Sequence, residues 1–482
     1  MRILLASSEV HPYSKTGGLA DMVSGLSKTL ARAGHRVGVV TPLYAGIEDR
    51  FSGLSRIPEA FDLPVGPRRI TAGILALEAE EGLTIYFVEQ PGFYQRAAPY
   101  GVNGTDFADN AERFVFFSKA VVELARRLPW RPELIHAHDW QTGLVPLLLL
   151  EEARQTGWPQ PPRTCITVHN LAYQGLFPRH AFALTGLSWE HFHSEGVEFY
   201  GQLNCLKAGL LHAAAITTVS PRYAREIMTG EFGCGLDGLL LRRRHALTGI
   251  LNGADYGEWN TTGNPFLEHS FSPADLSGKA RQKSVLQREL GLPVDPSVPL
   301  FGSINRLVEQ KGVEIQLAAL DKMLGEGLQF VLLGSGDPGY QRAYQELADR
   351  HSDRMAVRFG FDQGLSHRIE AGCDFFLMPS RFEPCGLNQL YSLRYGTVPI
   401  VRATGGLDDS VIDAQEDSSG ATGIKFRDYS SQALIKAVGK ALALYAEPEW
   451  MAHYRCNGMA ADFSWQKTAA SYQGVYQSAL NL

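Results

Sequence analysis

Cysteine is scarce and scattered. The six residues, at 165, 205, 234, 373, 385 and 456, form no CxxC pair and no ligand-like spacing. That argues against a disulfide framework or a zinc site and fits a reducing compartment. A block of like charge is also missing. The formal net charge of -6 is spread along the chain, without the basic face expected of a nucleic-acid binder. Long apolar runs are absent as well, since Leu144–Leu150 is far too short to span a bilayer. The opening Met-Arg-Ile-Leu-Leu-Ala reads as a strand, with no room before it for a signal or transit peptide. These absences predict a cytoplasmic protein with no nucleic-acid or membrane partner.

What is present is ordinary globular composition, with 45% hydrophobic and 20% charged residues over 482 positions. That is enough for two or three domains. The first forty residues read strand, Gly-rich turn, helix, strand. Leu19, Met22, Val23, Leu26 and Leu30 follow helical spacing up to Gly34. Strands are predicted at Ile3–Ser7, Arg36–Thr41, Glu133–Ala137, Thr164–Val168 and Ala215–Ser220. A second series begins near Pro299, with strands at Leu300–Ile304, Phe330–Leu333, Ala356–Phe359, Phe375–Met378 and Val398–Val401. Strands alternating with helices imply parallel sheets covered on both faces. The Gly-, Pro-, Asn- and Ser-rich stretch Asn252–Ser297 reads as the linker and entry to a second α/β domain. The α/β architecture expected is two Rossmann-like doubly wound domains facing across a cleft. The boundaries are 1–250 and 251–460, and a terminal helix over 461–482 crosses back to the first domain.

Several segments carry chemistry. Lys15-Thr16-Gly17-Gly18 precedes the first helix, where free amides and a lysine suit an anion, although the same run makes an ordinary tight turn. Arg306 and Lys311 follow a strand, where two cations suit a diphosphate; a solvated loop with scattered charge reads the same. In Ser380-Arg381-Phe382-Glu383-Pro384-Cys385-Gly386-Leu387, a carboxylate fixed between an aromatic and a proline could bind sugar hydroxyls or balance positive charge at an anomeric carbon. Cys385 has no nearby base to make it a nucleophile. His136-Ala137-His138-Asp139-Trp140 could suggest metal ligands, but no third ligand stands at a telling spacing, so no metal is expected. Gly334-Ser335-Gly336-Asp337-Pro338-Gly339 satisfies GxGxxG. It lacks the acidic residue that a dinucleotide site wants about 20 residues on, and Pro338 sits awkwardly in the turn.

Taken together, these runs resemble the glycogen and starch synthases. The resemblance runs from Glu9 to Trp465 through at least six motifs, including Glu9, Pro12, Lys15, Gly17, Gly18, Leu19 and Asp21 near the start and Thr404-Gly405-Gly406-Leu407 near the end. Tyr94, Lys207, Asp139 and Asn252 fall in matching contexts. Two departures are Asn388, where many bacterial members have Thr, and Asn305, in place of a small residue. The resemblance implies the GT-B arrangement and closure over the donor. It implies transfer of glucose from ADP-glucose to the non-reducing 4-OH of an α-1,4-glucan with retention, without cofactor or metal. The catalytic set it implies is Glu383, His169, Arg306 and Lys311. Donor binding would draw on Lys15, Gly17, Gly18, Asp21, Asp139, Asn252, Arg306, Lys311, Phe361, Cys385, Gly386, Leu387, Asn388, Thr404, Gly405 and Gly406. Phe361 takes the place of an aromatic that stacks near adenine. Two other readings stay open within or beside the class: a UDP-glucose-preferring synthase and an inactive glucan-binding relative. An NAD(P) oxidoreductase built on Gly334–Gly339 is the reading from another class. Oligomeric state is not readable.

Overall fold

The computed structural model describes residues 1–102 and 104–482. The chain divides into two compact units. The first comprises Met1–Val219, Ala224–Gly253 and Trp465–Leu482; the second comprises Ser220–Tyr223 and Ala254–Ser464.

In the first unit, parallel strands lie in the spatial order 247–249, 215–218, 163–168, 134–138, 2–6, 36–42, 83–89. Every predicted strand of this series is present within two or so residues of its predicted ends. The Gly18–Arg32 helix buries Leu19, Met22, Val23, Leu26 and Leu30, the stripe its spacing predicts. Beyond residues 83–89 the sheet continues into antiparallel strands at 68–80 and 55–56. The strand–helix alternation gave no hint of these hairpins. The terminal helix Trp465–Leu480 completes this unit's core. The Trp465 ring occupies the space where a Cβ on Gly25 or Gly253 would stand. Tyr476 Oη meets His136 Nδ1 at 2.7 Å.

The second unit holds a fully parallel six-stranded sheet, in the order 355–359, 329–336, 300–307, 375–378, 398–402, 424–426. Its two faces are packed by separate apolar clusters, one around Phe301, Phe330 and Leu377, the other around Leu300, Val331 and Phe376. From Ala254 onward, the stretch read as the linker and entry to the second domain lies in this unit, and it contains a helix that its composition did not announce, Ser277–Glu289. The helix escaped notice for a physical reason. Lys279, Gln282 and Lys283 are buried on that helix, so its inner face does not look apolar in sequence. Lys279 Nζ donates to Ala371 O at 3.0 Å and Thr397 Oγ1 at 2.6 Å, and Lys283 pairs with Asp374 at 2.7 Å.

Each sheet has one point where the strand order reverses direction. In the first unit it lies between strands 2–6 and 134–138; in the second, between 300–307 and 375–378. Crossovers leave in opposite directions there, and the gap beyond the carboxyl ends of the strands is where open α/β sheets bind ligands.

Candidate active site

At the second unit's reversal point, the loop after Leu300–Leu307 carries Lys311, with Arg306 at that strand's end, and the loop after Phe375–Met378 carries Glu383. The fold thus brings together residues 72 positions apart: Lys311 Nζ donates to Glu383 Oε2 at 2.5 Å. Ser380 Oγ donates to the same oxygen at 3.0 Å. The Glu383 side chain is 7% exposed and that of Lys311 19%, so the pair is shielded and its attraction is stronger than in water. Arg306 differs. It is exposed, and its guanidinium makes no hydrogen bond or ion pair to any described residue. Two cations seen as equals in sequence therefore have different standing: Lys311 is paired with Glu383, and Arg306 has no carboxylate partner among the described residues.

The glycines around Glu383 serve backbone approach. Gly386 has φ 73, a conformation that disfavours a side chain. A Cβ on Gly405 would lie 1.9 Å from Glu383 O, and one on Gly406 2.1 Å from Cys385 O. The Gly406 amide donates to Glu383 O at 3.1 Å and Pro384 O at 3.2 Å. The Gly406 amide is thus already bonded within the protein. Asn388 is tied by Nδ2 to Ile304 O at 2.7 Å, and Cys385 is buried. Leu387 precedes the short Asn388–Arg394 helix, and the Leu387 and Asn388 amides donate to no described residue. Thr404 is buried, whereas Phe361 is 86% exposed on the loop after strand 355–359.

The GxGxxG run is filled by its own side chain. Asp337 caps the Pro338–Arg350 helix, accepting from the Gly339 amide at 2.6 Å and the Tyr340 amide at 3.2 Å. Those are the donors a dinucleotide phosphate needs. Pro338, expected to be awkward, occupies the first helical position, where its missing N–H costs nothing.

At the first unit's reversal point, Lys15-Thr16-Gly17-Gly18 leads into the Gly18–Arg32 helix. Buried Glu9 braces this loop by accepting from the Thr16 amide and, at 2.7 Å, from Thr16 Oγ1. Tyr100 Oη adds a bond to Glu9 at 2.5 Å. Lys15 pairs with Asp21 at 2.8 Å, so two residues expected to face donor face each other.

After strand 134–138, Asp139 accepts from the His169 amide at 2.7 Å and so fixes the turn after strand 163–168. Its backbone has φ 56, strained for a residue with a side chain. His138 Nδ1 lies 3.1 Å from His169 Nε2, and the buried His138 Nε2 has no partner. His136 is wholly buried between Tyr476 and Thr167, 2.6 Å from the latter. Tyr94 and Lys207 are likewise internal braces: Tyr94 Oη donates to Arg113 O at 3.0 Å, and Lys207 Nζ to Ser194 O and Glu198 O. Asn252 is buried with an unpaired Oδ1. Among the described residues no group of three or more His, Cys, Asp or Glu is placed to hold a metal ion, and no helix is long and apolar enough to cross a membrane.

The sequence missed Ser380, Tyr100 and the bracing role of Glu9. Ser380 and Glu9 lie inside runs already singled out, but their contacts depend on the fold.

Burial holds these imidazoles neutral. It lowers His136 and His169 to about 3, and it lowers His138 as well, with help from the neighbouring imidazoles. Burial pushes Asp139 up to about 7, against the hydrogen bonds from the His169 and Asn170 amides. A histidine whose folded pKa is depressed binds protons better when unfolded. Its stabilising contribution is therefore complete above about pH 6.5 and is lost as pH falls toward 3. Asp139 acts oppositely, protonated longer in the fold, so it subtracts stability as pH rises from about 4 to 7. Three histidines outweigh one carboxyl. Thermal stability is expected to rise between pH 4 and 6.5, each histidine contributing up to about 1.4 kcal/mol per pH unit. Melts across this range check it, and His136→Gln is expected to flatten the slope.

Residues 2–242 match the family described as starch synthase catalytic domain, and residues 289–455 match glycosyl transferases group 1. The chain is 49% identical to a glycogen synthase of Anaeromyxobacter sp. (strain Fw109-5), covering 99% of each chain. It is 44% identical to glycogen synthase 1 of Geobacter metallireducens, covering 100% of this chain and 96% of that one. Among solved structures, the catalytic domain of starch synthase IV from Arabidopsis thaliana, bound to ADP and acarbose, superposes with a TM-score of 0.91 at 34% identity, covering 100% of this chain and 99% of that one. With this identity over almost its full length, and with the fold class of two Rossmann-like units, the chain belongs to the glycogen and starch synthases, the glucosyltransferases of the GT-B class.

Proposed function

We propose that the glucosyl donor is ADP-glucose, transferred with retention to the non-reducing 4-OH of an α-1,4-glucan, releasing ADP. The observation that carries this reading is the Lys311–Glu383 pair beside an unpartnered Arg306 at one sheet's reversal point. The hard step is departure of a diphosphate. Arg306 supplies a forked, uncompensated cation for its growing charge. Lys311 shifts from Glu383 toward the same oxygens as the charge develops. The unbonded amides of Leu387 and Asn388 add donors. As Lys311 turns, Glu383 is free to accept from the glucose hydroxyls and to steady the oxocarbenium-like state on the anomeric carbon.

From the first unit, we assign Lys15, Gly17 and Gly18 to the diphosphate and His169 to the transferred sugar. A neutral His169 can donate a hydrogen bond to a sugar hydroxyl without placing a cation beside the oxocarbenium. Retention follows from front-face departure and attack, since only one carboxylate, Glu383, is assigned here and the two-carboxylate route needs a pair about 5 Å apart. Phe361 offers an open ring to the base.

Incorporation of labelled glucose into glycogen from ADP-glucose and UDP-glucose in parallel tests the reading. Faster transfer from ADP-glucose is expected; preference for UDP-glucose would replace the donor, and transfer from neither would overturn the assignment.

A further inference from the structure

We propose that the hairpin bearing Tyr200 is a docking element for the glucan acceptor, with the Tyr200 ring stacking on a glucosyl unit. The proposal rests on the glucan-synthase reading and adds residues that the motifs above do not include.

Tyr200 and Gly201 join the antiparallel strands Glu198–Phe199 and Gln202–Asn204. Both central residues have positive φ, 48 at Tyr200 and 80 at Gly201. A two-residue turn of this kind favours Asn-Gly, Asp-Gly or Gly-Gly. A tyrosine there strains the backbone, and packing does not compensate, because Tyr200 is 83% exposed. Its one ring contact is an edge-on approach to Phe199, with centroids 4.7 Å apart. The surrounding structure nevertheless holds the turn in place. Glu198 Oε1 accepts from the Gly201 amide at 2.5 Å, and Lys207 Nζ donates to Glu198 O at 2.6 Å and Ser194 O at 2.5 Å. A strained residue that is clamped in place and presented to solvent points to function.

The hairpin is built onto the loop that leaves His169. Asn204 Nδ2 donates to Gln174 Oε1 at 2.6 Å, and Gln174 Nε2 donates to Cys234 O at 3.0 Å. A Cβ on the next residue, Gly235, would stand 2.8 Å from Phe199 Cζ and 3.8 Å from Tyr200 Cε2. Leu176, on the same loop, pairs with Asn204 of the hairpin, and Tyr173, next in sequence to Gln174, is 55% exposed. An open aromatic ring on a clamped hairpin, paired with the loop that leaves a histidine assigned to the sugar, suits a neutral oligosaccharide. A glucosyl ring offers C–H faces to aromatic rings and hydroxyls to water at its rim.

The test compares wild type, Tyr200→Asn and Tyr200→Phe. Native gels cast with glycogen, run without donor, are expected to retard wild type and Tyr200→Phe but not Tyr200→Asn. The acceptor KM for maltooligosaccharide is expected to rise about tenfold in Tyr200→Asn, corresponding to one stacking contact, with the ADP-glucose KM unchanged. Asparagine suits the turn, so the Tm of Tyr200→Asn is expected to rise, which separates lost binding from lost folding. Wild-type retardation and acceptor KM in Tyr200→Asn would overturn the proposal. So would a change in elution volume showing that the ring contacts a second copy of the chain. Absence of glucosyl transfer by wild type would instead overturn the reading beneath it.

Discussion

Arg306→Ala is expected to lower turnover about 10²–10³-fold with no change in Tm. The guanidinium is exposed and makes no bond within the protein, so its removal leaves no buried group unsatisfied. Its charge is the one in this loop that no carboxylate offsets, so the departing diphosphate depends on it most. Lys311→Ala is expected to reduce turnover comparably, but with a structural penalty. Glu383 is 7% exposed at its side chain and would lose its cation partner, and breaking a buried pair on one side costs about 3 kcal/mol. Steady-state kinetics with thermal melts separates the two. Equal stability losses, or near wild-type turnover in both variants, would contradict the assignment.

Glu383→Gln carries the second large effect. The amide keeps the shape and can still accept from Ser380, which lies 3.0 Å from the present oxygen, but it brings no negative charge to the anomeric carbon. Turnover is expected to fall about 10²-fold. The variant also releases Lys311 from its 2.5 Å partner, so ADP affinity is expected to hold or tighten. That combination distinguishes a carboxylate acting in the chemical step from one that only positions a lysine. A mere counter-ion would lose donor affinity and keep kcat.

The sequence made the second unit's cluster readable because its chemistry sits at strand ends. Arg306, Lys311 and Glu383 each follow a short apolar strand, and such strands are recognisable from a handful of residues. What it could not reveal was their pairing. Lys311 meets Glu383 only because the strand order reverses between 300–307 and 375–378, which no local pattern encodes. The same limit hid the loop held by Glu9 and the buried place of His136. Nor did the sequence show why Gly405 and Gly406 are glycines: the Glu383–Cys385 backbone passes too close for a Cβ. The Ser277–Glu289 helix escaped because buried lysines stand on its inner face. Tyr200-Gly201 was passed over because tyrosine is not a residue one looks for at a left-handed turn position.

The most direct test of the central claim is proton NMR of the chain incubated with ADP-glucose and a maltooligosaccharide, following the anomeric signals from the first turnovers. The account predicts growth of an α-1,4 linkage matched by release of ADP, and both slowed together in Arg306→Ala and Glu383→Gln. A β-linked first product, or undiminished α-transfer in both variants, would contradict it.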